Sequence, residues 1–101
     1  MKFNPLVMGL CMWATAMAQA QTPSALQVRS LAASCAACHG TNGQAQPGMV
    51  TLAGMPQAVI VQKMLDYKAG RLPATLMHQL AKGYADDEIN AIAAYFAAQK
   101  K

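Results

Sequence analysis

One pentapeptide constrains this chain more than anything else in it: Cys35-Ala36-Ala37-Cys38-His39, the pattern C-x-x-C-H. Two thiols at that spacing on a helix reach the two vinyl groups along one edge of a porphyrin, and the next residue then lies under the central metal. The pattern is the attachment motif for haem c, with Cys35 and Cys38 as covalent anchors and His39 as an axial iron ligand. Two other chemistries use the same residue types. A thioredoxin-like dithiol wants a βαβ setting. A zinc site wants four ligands, which Cys35, Cys38, His39 and His78 would have to supply without a second C-x-x-C. Haem c is the reading adopted, with zinc and dithiol modules as the alternatives from another class.

The chain has 101 residues, enough for one domain, and its first twenty differ from the rest. Lys2 precedes the apolar run Leu6 to Ala14, which fades into small residues ending in Ala18-Gln19-Ala20, an A-x-A cleavage pattern. Residues 1–20 are expected to be a cleaved Sec-type signal peptide, and residues 21–101 a periplasmic monohaem domain without stable membrane insertion. The run falls short of the ~20 apolar residues of a membrane span.

Without that segment the chain keeps seven Lys and Arg against four Asp and Glu. So mild and scattered an excess carries no nucleic-acid footprint. Only Cys35 and Cys38 remain as cysteines. A bridge across two residues would constrain the unfolded chain little, yet a domain this small ordinarily needs a staple. The haem supplies it.

The domain reads as all-α, with three or four short helices joined by long loops. Ala25 to Cys38 is a helix with Ser24 as its N-cap. Gly40 to Pro56, with four Gly and two Pro, is a loop of little regular structure. Gln57 to Ala69 is a helix with Ile60, Met64 and Tyr67 on a broad apolar stripe, ended by Gly70 in the C′ manner. Leu76 to Lys82 is a short helical piece stopped by Gly83. In the last helix Ile89, Ile92, Ala93 and Phe96 fall at i, i+3, i+4 and i+7, with acids at its start and Lys100 and Lys101 at its end. Loops this long in so small a domain make sense if they wrap a flat cofactor.

The donors for the second axial position are Met49, Met55, Met64, Met77 and His78. Met64 sits on a packing stripe, and Met49 and Met55 follow His39 closely enough to share its side. Met77 lies beyond the second helix, where the chain can cross to the other face, and is the favoured ligand; His78 is the alternative. A His/Met pair gives a low-spin iron of raised potential and leaves no open position for a substrate.

The stretches Ala33-Ser34-Cys35-Ala36-Ala37-Cys38-His39-Gly40-Thr41-Asn42-Gly43, Leu52-Ala53-Gly54, Tyr67-Lys68-Ala69-Gly70-Arg71, Met77 to Tyr84, Asp86 to Ile89 and Ile92 to Phe96 together resemble the class I cytochromes c. More narrowly, Met77-x-x-x-Ala81-Lys82-Gly83-Tyr84 is similar to the cytochrome subunit of flavocytochrome c sulfide dehydrogenase. The resemblance implies a class I cytochrome c fold around one covalent haem, Met77 as the axial methionine, and electron transfer rather than catalysis. It also implies a sulfide-oxidising flavoprotein as partner. A free monohaem carrier between respiratory complexes is the alternative.

Two positions depart from the family pattern. Relatives tend to have Pro where Val50 stands, in a loop whose backbone carbonyl orients the proximal histidine. A carbonyl at Val50 can still accept the His39 ring N–H, and Pro47 can stiffen the loop. Relatives also tend to cap the last helix with Ser or Thr, where this chain has Ala85; Asp86 is expected to cap instead, starting the helix one residue later. Lys68 and Arg71 are candidates to pair with a haem propionate, with solvated surface charge as the alternative at least as well supported. Tyr67 and Tyr84 are candidates to bond a propionate or pack on the ring. Tyr95 and Phe96 are expected to pack the last helix against the first.

Overall fold

The computed structural model describes residues 22–101, so the expected signal peptide lies outside the described residues. Four helices follow one another: α1 (Ala25–His39), α2 (Gln57–Lys68), α3 (Met77–Lys82) and α4 (Asp86–Ala97), with one 3-10 turn at Thr41–Gly43. No strand occurs among the described residues, and none of their helices is long and apolar enough to cross a membrane. The all-α expectation holds.

Local chemistry sets the ends of these helices. At the start of α1, Ser24 Oγ accepts from Gln27 N–H, and the Gln27 side chain accepts from Ser24 N–H, a complete capping box. Gly70, at φ 74°, ends α2: its N–H donates to the Tyr67 carbonyl, and Arg71 N–H to the Asp66 carbonyl. Those two bonds are the Schellman pair. The cap of α4 differs from expectation. The helix starts at Asp86 with Ala85 as the capping residue, and Asp86 does not cap. Ala85 has no side-chain acceptor, but its own N–H donates to Glu88 Oε2 at 2.9 Å, so half a capping box survives. The helix also ends at Ala97, so Lys100 and Lys101 lie beyond its last turn.

The core is small. Ile89, Ile92, Ala93 and Phe96 of α4 are all buried and meet Ala32 of α1, Ile60 and Met64 of α2 and Ala81 of α3. Helix α4 packs on both α1 and α2, and α2 packs on α3. Helix α1 contributes only Ala32 to the buried set; Cys35 and His39, further along it, line a cavity instead.

The long loop returns to the core at Gly43. That carbonyl accepts from Leu52 N–H at 2.8 Å and Ala53 N–H at 3.1 Å, and Gly54 N–H then bonds the Phe96 carbonyl. Residues 44–51 are thus a loop closed at its base, in the manner of an Ω-loop. Tyr95 Oη donates to Asn42 Oδ1 and fixes the same corner to α4.

Gly43 sits at φ 79°, and a Cβ there would stand 2.8 Å from both the Ala53 backbone N and the buried Phe96 ring. Gly43→Ala is expected to cost about 3 kcal/mol or more, from backbone strain plus overpacking. Gly48, also at positive φ, has nothing within 4 Å of such a Cβ, so Gly48→Ala is expected to cost only about 1–2 kcal/mol. Urea unfolding of the two variants measures the difference.

Arg71 bonds the Asp66 carboxylate, and this contact first, then Gln62, holds Asp66 below its ordinary pKa. Stability from a lowered carboxylate is fully present above the unfolded value of about 3.9 and is lost as pH falls through the lower folded value. Asp66→Asn is therefore expected to lower the melting temperature equally at pH 7 and at about pH 5, with the gap to the parent protein closing below about pH 4. Calorimetry across that range checks it.

Candidate haem site

The last turns of α1 carry Ser34, Cys35, Cys38 and His39 to one wall of a cavity of about 480 Å³. The chain leaves that wall sharply at Gly40, at φ 80°, where a Cβ would fall 1.9 Å from the Gln44 carbonyl oxygen. Pro47 and Gly48 then form a turn in which Met49 N–H donates to the Gln46 carbonyl. Proline at its second position and a glycine at φ 93° at its third make it a type II turn. It delivers Val50 so that its carbonyl accepts the His39 Nδ1–H at 2.6 Å. With Nδ1 committed as a donor, Nε2 is the nitrogen left with a lone pair for a metal. The expectation that a non-proline residue at position 50 can still supply this carbonyl holds.

The opposite wall is α2, through Ile60, Lys63, Met64 and Tyr67. Ala74 to Met77, Leu80 and Tyr84 complete the enclosure, with Ile92 and Phe96 of α4 behind. Of the candidate sixth ligands, Met49, Met55, Met64 and Met77 all line the cavity, and His78 does not. Met49 and Met55 flank Val50 in the loop that holds His39. Met64 is buried in the core, as its stripe position implies. Met77 opens α3, at the far end of the connection from α2.

The lining fits a flat, largely apolar group with a metal at its centre. Two cysteines lie one turn apart on one wall, an imidazole nitrogen is oriented by a backbone bond, and thioethers are present. The residues do not fit the alternatives. No cluster of three or more His, Cys, Asp or Glu suited to a metal ion occurs among the described residues. Burial pushes the Cys35 thiol up from its ordinary value, against hydrogen bonds from Ser34 and the backbone. A dithiol oxidoreductase needs its reactive thiol lowered instead.

Residues 27–100 match the family model for cytochrome c. This chain belongs to the cytochrome c family. It is accordingly an electron-transfer protein, and its cofactor is one covalently attached haem c. It is 39% identical to the cytochrome subunit of sulfide dehydrogenase of Chlorobaculum tepidum, over 65% of this chain and 60% of that one. It is 39% identical to cytochrome c4 of Pseudomonas aeruginosa, over 68% of this chain and 35% of that one. It is 36% identical to cytochrome c-554(548) of Halomonas halodenitrificans, over 65% of this chain and 84% of that one. The chain thus spans less than two thirds of the first two.

For Lys68 and Arg71 the fold supports the surface-charge reading. Lys68 does not face the cavity: its Nζ donates to the Tyr84 carbonyl and to Asp86 Oδ1, each at 2.7 Å. Arg71 is engaged by Asp66 at 2.6 Å. Both were drawn away by carboxylates whose positions depend on the fold. The one formally charged side chain on the cavity wall is Lys63, which makes no ion pair among the described residues. Its position on α2, next to Met64 and four before Tyr67, is the signal in the sequence that could have found it. A cation beside the cofactor favours the form carrying the extra electron. Lys63→Gln is expected to lower the midpoint potential of the cytochrome in redox titration, and Lys82→Gln, which lies off the cavity wall, to lower it less.

Proposed function

We propose that Cys35 and Cys38 hold the haem covalently, that His39 and Met77 are its axial ligands, and that the cytochrome is exported to the periplasm as residues 21–101 after loss of residues 1–20. It there accepts electrons from a sulfide-oxidising flavoprotein as that enzyme's cytochrome subunit. The observation that carries the ligation is the shared cavity, with Cys35, Cys38 and His39 on the α1 wall and Met77 at the start of α3. When bound, haem c supplies one-electron chemistry, its iron alternating between ferric and ferrous states. The chain's own residues do the rest. The Val50 carbonyl keeps the His39 imidazole in one tautomer and one orientation. Apolar walls from Leu52, Ile60, Met64 and Phe96 keep water away from the cofactor, and an apolar setting with a thioether ligand raises the potential. Lys63 offers a counter-charge for a haem carboxylate.

The sulfide reading rests on the block from Met77 to Tyr84 and on the Chlorobaculum tepidum relative, whose name states that role. The similarity to cytochrome c-554(548), over 84% of that protein, supports the second reading, a free monohaem carrier.

Two measurements test these assignments. Met77→Ala is expected to change the optical spectrum of the oxidised cytochrome; an unchanged spectrum refutes the axial role of Met77. Affinity purification from the periplasm of the native host is expected to bring down a larger flavin-containing chain in proportion to haem. A lone monomer selects the free carrier instead.

A further inference from the structure

We propose that Tyr84 is a positioning residue for the sixth-ligand side of the cavity, its hydroxyl latching the segment that carries Met77 to helix α1. The inference rests on Met77 as an axial ligand. Helix α3 packs on α2, and α1 packs on α4, so the wall that carries the cysteines and the segment that carries Met77 approach each other at the cavity edge. Tyr84 spans that edge. It lines the cavity, and its hydroxyl bonds Ser34 Oγ, fifty residues away in the chain and one residue before Cys35. The direction of this bond follows from its neighbour. Ser34 Oγ lies 3.0 Å from the Leu31 carbonyl, to which it must donate. The Tyr84 O–H therefore donates to Ser34, and the three groups form one chain.

The backbone of Tyr84 is held from two further sides. Its N–H bonds the Ala81 carbonyl of α3, and its carbonyl accepts from Lys68 Nζ of α2. Lys68 also pairs with Asp86 at the start of α4. All four helices thus tie to this residue directly or through one contact. Loss of the hydroxyl leaves the ring and these backbone bonds in place while freeing the α3 segment from α1.

If the latch holds Met77 in reach, breaking it raises the population in which Met77 is withdrawn, and a competing ligand then binds with higher apparent affinity in proportion. Imidazole titration of the oxidised holocytochrome, followed by its optical spectrum, reads this directly. Tyr84→Phe is expected to tighten apparent imidazole binding about two- to tenfold, the range that one net hydrogen bond provides. Ser34→Ala is expected to do the same, and the double variant to add little to either single change, because both remove one bond. Met77→Ala is the reference, expected to bind imidazole more tightly than any of these and to be insensitive to Tyr84→Phe. If Met77→Ala binds imidazole as the parent does, the axial assignment falls and the latch with it. If Met77→Ala binds tightly while Tyr84→Phe matches the parent, or if the Tyr84 and Ser34 changes simply add, the latch alone is overturned.

Discussion

The apolar hollow between α1 and α2 is the feature on which the rest of the structure depends. A domain of this length closes a core of limited size, and small domains ordinarily make up the deficit with a staple. Here the deficit is visible in α1, which buries one alanine although it is the longest of the described helices. Of its other inward residues, Leu31 packs against the core from partly buried ground, while Cys35, Cys38 and His39 line the cavity instead. Behind the hollow the core is built of small and large side chains together: Ala32, Ala81 and Ala93 let the helices approach, and Ile60, Met64, Ile92 and Phe96 present apolar surface to the cavity. Covalent attachment suits this arrangement, since the group completing the core cannot be lost without loss of the fold's central contacts.

Holding a metal ligand in such a setting requires a fixed tautomer and a fixed ring plane. The chain achieves both through backbone rather than side chain. Gly40 turns the chain off α1, Pro47 and Gly48 turn it back, and Gly43 receives the returning strand of loop with two hydrogen bonds. Between those points residues 44–51 bring one carbonyl to His39, while Met49 and Val50 also form part of the cavity wall. That accounts for the tolerance of valine at position 50: the side chain there is 58% exposed, and the oxygen is what matters.

What could be read in the sequence divides along the same physical line. Elements set by local chemistry were legible: the Ser24 cap, the Gly70 terminus, and the period of Ile89, Ile92, Ala93 and Phe96, all four of which are buried. The motif at 35–39 declared the cofactor for the same reason, since all its information lies within five residues. Contacts that depend on where distant elements meet were not legible. Lys68 and Arg71 look available until Asp86 and Asp66 are placed beside them. Lys63 carries no motif that marks it, and only the folded cavity brings it to the site. The link between Ser34 and Tyr84 joins positions fifty residues apart and leaves no periodic trace.

The distribution of exposed apolar surface bears on whether such a cytochrome travels or stays docked. Met49, Val50, Leu76 and Leu80 are 45–58% exposed and lie on the cavity wall, so the cofactor is approached through an apolar rim. Four half-exposed side chains suit the small, short-lived contacts of electron-transfer encounters, which bury less than about 1,200 Å² in total. A permanent subunit interface runs to about 2,000 Å² or more, and the rim alone does not reach that. Lasting attachment to a larger flavoprotein would have to recruit surface away from the cavity, and Leu26 and Val59, exposed on α1 and α2 outside the cavity lining, are the large apolar side chains placed to contribute it. The rim is the part that a free carrier and a fixed subunit would share, so the two modes differ in whether those outer positions become covered.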